Sequence, residues 1–461
     1  MRCDVWRRDS RRTLCALSVL WLVAGRVAAQ SSTPAESFVA AVADPVLASS
    51  AVADPFARYT TPGQCQQAVV RLQRRYWRDK RPDTVVYAPA TDSVPTPVVK
   101  AARRCATRFA VATVPVPELQ NLAQLYLWTG QDSLADQAMT RLQQSTRSWS
   151  ARERGWVLSL WVNAALDARP MRRVLVQSML AQLDSFGAPA ATWRLFAHAY
   201  YAEYALSVND RATAESEGRA ALRASRQMTM DDRIDWVWQI GGAYRTVARV
   251  VALTRGETAA LALLDSMRID LTPLRPLGTA DRAQLVAQLI EWRTTPFTWL
   301  GRAAWPAVRA AGWYGASGDT VYPRAGRLSL LVFAYGADYR MLAMLRRLHD
   351  AYSAQGLDIV VLTSTHGYFR AMPMLSSAVE MDSLGSYFHG YLHLPATVAV
   401  EITEFSHLAD GRRRDEETPN QKAFGHVGGA MLIDRHGVAR WIGDVNPQTE
   451  AVWTAVIRDA R

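Results

Sequence analysis

Apolar side chains change their spacing near residue 300, and this change divides the sequence into two predicted parts. From about residue 60 to 295 they recur at helical spacing, as Val69, Leu72 and Tyr76 do after Pro62. Beyond residue 300 glycines, prolines and β-branched runs appear, and the period shortens. The pattern predicts a multidomain chain, with an α-helical domain over 59–298 and an α/β domain over 299–461.

The helical domain contains a segment, Asn121–Leu142, that resembles a tetratricopeptide repeat. The matching positions are Leu122, Ala123, Tyr126, Gly130 and Ala135. Small side chains at Ala123 and Ala135 allow two antiparallel helices to touch, and Gly130 lies near the end of the first helix. Looser copies over 193–214 and 243–267 predict further hairpins, and several stacked hairpins are needed to bury a continuous core. We therefore expect a helical-hairpin array.

The α/β domain combines apolar runs that predict strands with amphipathic segments that predict helices. Leu328–Phe333 is a near-continuous apolar run, as expected of a strand that is buried on both faces. The other predicted strands are Leu357–Leu362, Ala396–Ile402, Ala430–Ile433 and Val438–Ile442, and the predicted helices are Met341–Tyr352 and Glu450–Arg458. A strand–helix–strand unit followed by a β-hairpin and a final helix predicts an α/β sandwich with a mixed sheet.

Residues 1–29 have the three regions of a cleavable export signal. Several arginines precede the short apolar run Leu14–Gly25, and small residues follow it up to Ala29. That run is too short to cross a bilayer, so we expect no stable membrane span after cleavage at Ala29. The signal predicts a periplasmic or secreted protein, exported by the general secretory or the twin-arginine route. Residues 30–58, which repeat the sequence Ala-Val-Ala-Asp-Pro, predict a flexible linker.

Composition and charge exclude some classes of function. The apolar content of 49% and the charged content of 21% are those of a globular protein and argue against extensive disorder. The formal charge is +11, but six arginines and two aspartates lie in residues 1–29, which leaves +7 on the rest of the chain. The basic residues do not form one long block, so we expect no nucleic-acid partner.

Four cysteines are present, and their positions limit the redox chemistry of the chain. Cys3 and Cys15 lie in the predicted signal, which leaves Cys65 and Cys105, and no cysteine follows Cys105. An even pair in an exported protein favours a disulfide, which would join two predicted helices. Free buried thiols and a redox-active pair are the alternatives that the sequence leaves open.

The last 160 residues or so resemble the thioredoxin-like superfamily. The resemblance is greatest to the group that contains exported disulfide reductases and the alkyl hydroperoxide reductase and thiol-specific antioxidant proteins. Leu300–Ala304 is similar to the entry segment of that group, and 318–333 is similar to its first hairpin and central strand. Phe424–Gly437 resembles the late strand and its turn into a hairpin.

This resemblance implies a site whose chemistry the chain has lost. The position of the family's active-site cysteines is occupied by Gly336, Ala337, Asp338 and Tyr339. The position of the cis-proline that faces those cysteines is occupied by Gly428 and Gly429. We therefore expect no catalytic residue and no cofactor at this site, although a groove for peptide would remain. Asp338 is interpreted as a helix cap, with a general acid or base as the alternative.

Histidines offer the remaining candidate chemistry. His389 and His393 have the i, i+4 spacing that presents two nitrogens to one metal ion on a helix, and Glu401 and Glu404 lie nearby in sequence. No HExxH motif is present, and Pro395 limits the helix, so we expect no metal site.

Together these features predict an exported, non-catalytic protein with a helical platform. We expect it to act in protein binding, scaffolding or chaperone-like handling, with a protein or peptide of the cell envelope as partner. The alternative is a thiol–disulfide oxidoreductase or peroxidase-type antioxidant protein, as the family resemblance implies. That alternative requires Cys65 and Cys105 to form an unconventional redox pair.

Overall fold

Pairs of helices joined by turns build the first part of the structure. The whole structure is a computed structural model. It describes residues 56, 58–79, 87–88, 91–167, 171–277, 286–287, 289–291, 295–303, 308–315, 322–334, 339–365, 368–369, 372–373, 375–391, 393–403, 405–407, 413–415, 418–424, 429–445 and 449–460. Residues 56–333 and 339–461 lie in one compact unit.

Helices occupy most of the described chain before residue 272. In the first part they are α1 (Pro62–Asp79), α2 (Thr96–Ala106), α3 (Leu119–Trp128), α4 (Asp132–Ser145), α5 (Ala151–Asp167), α6 (Arg173–Asp184), α7 (Ala191–Ser207), α8 (Arg211–Ser225), α9 (Met230–Asp235), α10 (Val237–Arg255) and α11 (Glu257–Leu271). Later helices are α12 (Tyr339–Tyr352), α13 (Ser377–Gly385), α14 (Pro419–Phe424) and α15 (Glu450–Asp459). A π-helical turn, Ser386–Tyr391, follows α13.

Strands are concentrated after residue 311. They are β1 (Tyr87–Ala88), β2 (Thr91–Pro95), β3 (Gly312–Tyr314), β4 (Leu328–Phe333), β5 (Leu357–Ser364), β6 (Tyr368–Phe369), β7 (Met372–Pro373), β8 (Thr397–Glu401), β9 (Phe405–His407), β10 (Arg413–Asp415), β11 (Gly429–Ile433) and β12 (Ala439–Gly443). The small pair β1–β2 lies between α1 and α2, where the sequence holds several prolines.

The helices pack as consecutive hairpins, α3–α4, α5–α6, α7–α8 and α10–α11, after the disulfide-linked pair α1–α2. Glycines with left-handed backbone make two of the turns: Gly130 has φ 68° and Gly256 has φ 85°. Residues with a Cβ disfavour that region, so glycine at these two positions allows the chain to reverse sharply at each turn. Ala123 and Ala135 are each 2% exposed, which lets α3 and α4 approach closely. One apolar core extends from Cys65 in α1 to Tyr201 in α7.

A six-stranded mixed sheet forms the second part, in the order β12-β11-β4-β5-β8-β3. β4, β5 and β8 are parallel, whereas β11, β12 and β3 each run antiparallel to a neighbour. All six residues of β4 are buried, as expected of an apolar central strand with covered faces. The predicted arrangement of a helical part followed by a C-terminal mixed α/β part is therefore confirmed.

The helical part and the sheet are joined by packing and by ion pairs. α15 packs against α7, and α10 packs against β12. Arg440 in β12 pairs with Glu257 of α11 at 3.5 Å, and Arg211 pairs with Asp459 at 3.5 Å. These contacts hold β12 and α15 against the hairpin array.

Candidate functional site

The carboxyl ends of the parallel strands meet at one edge of the sheet, which we call the carboxyl edge: Phe333, Ser364 and Glu401 end β4, β5 and β8. In open α/β sheets, ligands bind in crevices outside such edges. The positions predicted to replace the active-site cysteines follow β4 directly. Gly336, Ala337 and Asp338 lie outside the described residues, and Tyr339 begins α12. The predicted capping role of Asp338 therefore stays a prediction.

The second predicted site position lies beside the end of β4. Gly429 pairs with Phe333 in the antiparallel ladder, while Gly428 lies outside the described residues. Gly429 has φ 103°, and a Cβ added there would lie 2.2 Å from the carbonyl oxygen of Gly443. Both the conformation and the close approach of β12 require glycine here. This gives a physical reason why no proline occupies position 429.

A buried carboxyl group ends the third parallel strand. Glu401 is 6% exposed and accepts hydrogen bonds from the Thr418 hydroxyl at 2.6 Å and the Asn420 backbone N–H at 2.8 Å. Burial raises the pKa of Glu401, and these hydrogen bonds only partly oppose the rise. Thr418 and Asn420 are themselves 2% exposed, so the carboxyl group is enclosed by protein. Its role in this arrangement is to fasten the start of α14 to the carboxyl edge.

The hairpin array also contacts the sheet at the carboxyl end of β12. Arg249 of α10 donates from Nε to the carbonyl oxygen of Ile442 at 3.0 Å and from Nη1 to Asp444 Oδ2 at 3.2 Å. The Nη2 atom of Arg245, one turn earlier, lies 3.6 Å from the same carboxylate oxygen. Among the described strands none lies beyond β12, where Leu300 forms an isolated bridge with Ala439. Arg249 supplies a further donor to this outer strand, at the Ile442 carbonyl.

The two cysteines of the helical part form the disulfide that their even number favoured. Cys65 in α1 and Cys105 in α2 are bonded, with their Cα atoms 5.8 Å apart. Both residues are 0% exposed and belong to the apolar core of the array. The bond therefore staples α1 to α2 at a place that solvent does not reach.

A buried histidine that the sequence analysis did not single out links three helices. His198 of α7 is 4% exposed and lies between two carboxylates, with Nδ1 2.6 Å from Glu217 Oε2 and Nε2 3.1 Å from Asp184 Oδ1. Burial lowers the pKa of His198, but the hydrogen bonds with Asp184 and Glu217 outweigh it, and the net pKa is raised. Burial alone would raise the pKa of Asp184. The hydrogen bonds from His198 and Arg194 outweigh burial and lower this pKa to about 2. An imidazolium between two carboxylates is the state that this geometry favours.

The two histidines with metal-ligand spacing are not presented by a regular α-helix. His389 lies in the π-helical turn, and His393 follows it with φ 47°. The side chain of Glu401 accepts hydrogen bonds from Thr418 and Asn420, and Glu404 lies outside the described residues. Among the described residues no group of three or more histidine, cysteine, aspartate or glutamate side chains could hold a metal ion.

Comparisons with known proteins leave the chain without an assigned family. No protein-family model, no curated protein and no solved structure matches it. Within the part of the chain that the structure describes, no helix combines the length and apolarity needed to cross a membrane.

Proposed function

We propose that this chain is an exported, redox-inactive thioredoxin-like protein that binds a protein or peptide of the cell envelope through its helical platform. The observation that carries the proposal is the placement of the cysteine residues in the chain. Cys65 and Cys105 are joined and buried between α1 and α2, and the sequence has no cysteine beyond Cys105. A chain with this distribution can hold a partner, but it offers no thiolate at the carboxyl edge of the sheet.

The topology of the sheet supports the thioredoxin-like part of the proposal. β4, α12 and β5 form the strand–helix–strand unit, and β11 and β12 form the late hairpin that precedes α15. Gly429 lies next to the end of β4, which agrees with the pairing of the two site segments that the resemblance implies. The proposed peptide groove is the space outside the carboxyl edge of the sheet. It lacks the proline that is usual in the thioredoxin-like superfamily.

The hairpins support a tetratricopeptide-like array. α3 packs against α4, Ala123 and Ala135 on these helices are buried, and Gly130 lies in the turn between them. The looser copies coincide with α7–α8 and α10–α11, which also pack as hairpins. Arrays of this kind present extended surfaces to partners, which is the role proposed here.

Export is part of the proposal, because it decides which partners the chain can meet. The arginine-rich start, the short apolar run and the small residues up to Ala29 support a cleaved signal. The buried disulfide also suits an oxidising compartment such as the periplasm or the external medium.

Site-specific photo-crosslinking in cells tests this proposal. The full chain, with its own leader, would carry a photoreactive amino acid in turn at Val174, Val208 or Ile269, which are 82%, 48% and 73% exposed on the helical part. Val379, which is 52% exposed on α13, provides the matched control on the α/β part. We expect a discrete adduct with an envelope protein from at least one helical position. Absence of adducts from every helical position would contradict the proposal.

A further inference from the structure

An open surface cavity of about 410 Å³ lies in the helical part, lined by residues of α9, α10 and α11 and by Arg226, which follows α8. The residues that carry the inference are Arg226, Met230, Arg233, Tyr244, Ile269 and Asp270. They come from four separate segments of the chain, so the cavity exists only in the folded array. None of them belongs to the carboxyl edge or to the disulfide.

The polar side chains of the cavity are fixed by one another. The Tyr244 hydroxyl donates to Asp270 Oδ2 at 3.1 Å, and Arg233 Nη2 donates to Asp270 Oδ1 at 2.8 Å. Arg226 lines the same cavity as Tyr244, whose ring is buried. Burial, followed by the charge of Asp270, raises the pKa of Tyr244, so the phenol stays a neutral donor. These polar groups are held in place before any ligand arrives, which lowers the entropic cost of binding.

Charge in the cavity is unbalanced toward the positive. Arg226 and Arg233 contribute two guanidinium groups against the single carboxylate of Asp270. Arg233 is paired with that carboxylate, whereas Arg226 is exposed. Within the described chain Arg226 has no carboxylate partner. A guanidinium so placed favours a carboxylate that can accept two parallel hydrogen bonds.

The border of the cavity is apolar and exposed. Ile269 is 73% exposed and Met230 is 43% exposed, and they belong to α11 and α9. Covering these two side chains would remove apolar surface from water, which favours a ligand that carries apolar groups. A ligand that covers both therefore needs apolar groups beside its anionic group.

We propose that the cavity binds a peptide segment in which one acidic side chain lies between apolar side chains. The carboxylate would receive hydrogen bonds from Arg226, and the flanking apolar side chains would cover Met230 and Ile269. This inference rests on the proposed function, because the segment belongs to the partner protein, and it adds the chemistry by which that partner is recognised.

Fluorescence anisotropy with a defined peptide tests the inference. The probe is a short labelled peptide with one glutamate between two leucines in a Gly/Ser background, titrated with the full chain. We expect saturable binding that weakens about tenfold when the glutamate is replaced by glutamine, since a charge-assisted hydrogen bond is lost. Binding should also weaken as salt is added, because the pair is near the surface.

Variants of exposed residues then locate the site. Arg226→Ala should weaken binding about tenfold and Ile269→Ser about fivefold. Arg223→Ala, one turn earlier on α8 and exposed, and Val174→Ser, exposed on α6, are the matched controls and should change binding less than about twofold. Equal affinity for the glutamate and glutamine peptides, or equal loss in Arg226→Ala and Arg223→Ala, would overturn the inference.

The two proposals fail in different experiments. If photo-crosslinking from Val174 or Val208 yields an envelope adduct while the Leu-Glu-Leu probe does not bind, the proposed function stands and the cavity is not the recognition site. Absence of adducts from all helical positions would count against the proposed function itself.

Discussion

Removal of the disulfide should destabilise the helical array by an amount that follows from its place in the chain. Cys65 and Cys105 are 40 residues apart, and closing a loop of that length reduces the entropy of the unfolded chain. In the chain-entropy description the effect on the free energy of unfolding is about 4 kcal/mol. The double variant Cys65→Ala/Cys105→Ala removes the bond without placing new hydroxyl groups in the core.

Urea unfolding followed by tryptophan fluorescence is the appropriate assay. Trp128, Trp149 and Trp156 pack against the core that contains the disulfide, so they report on the affected region. We expect the alanine variant to lose about 4 kcal/mol of stability, and the wild-type chain to lose a comparable amount when fully reduced. A loss below about 1 kcal/mol in both cases would refute the view that the bond acts as a staple.

Three further predictions concern stability and use the same urea assay. Because the folded pKa of His198 is raised, the stability that its imidazolium contributes is present below an unfolded pKa of about 6.5 and is lost as pH rises through the folded value. In this pH range the wild-type chain should lose stability as pH rises, and the His198→Gln variant should not show that loss. Identical pH profiles of stability for the two proteins would contradict the assignment of a charged His198. Arg249→Ala removes donors to two acceptors on the sheet and should cost about 2 kcal/mol, and no loss would mean that the contact is passive. Gly429→Ala places a Cβ 2.2 Å from the carbonyl oxygen of Gly443 and should cost about 2 kcal/mol or more, whereas Gly390→Ala, which meets no described atom within 4 Å, should cost under about 0.5 kcal/mol. Equal effects of the two alanines would refute the steric argument.

The apolar pattern predicted the elements whose signals are local. The run Leu328–Phe333 has the same bounds as β4, because a strand buried on both faces must be apolar throughout. Gly130 was placed near the end of the first helix of its hairpin, and it adopts the positive φ that the turn requires. The even pair of cysteines, in a sequence that predicts an export signal, favoured the disulfide that the structure contains.

Groups brought together from distant parts of the chain could not be predicted in this way. The His198 cluster draws on α6, α7 and α8, and neither carboxylate stands at a spacing that marks it as a partner. Arg249 and Ile442 are 193 residues apart, and their hydrogen bond depends on how α10 packs against β12. The π-helical turn also displaced His389 and His393 from the α-helical spacing that their sequence positions suggested.

The reduction potential of the Cys65–Cys105 pair tests most directly the claim that the chain is redox-inactive. It can be measured by thiol trapping of the folded protein across a series of glutathione ratios. The buried position of both sulfurs predicts a value below about −300 mV, as for structural disulfides of secreted proteins. A value between about −270 and −120 mV, the range of thiol–disulfide catalysts, would contradict the account and place redox chemistry in the helical part.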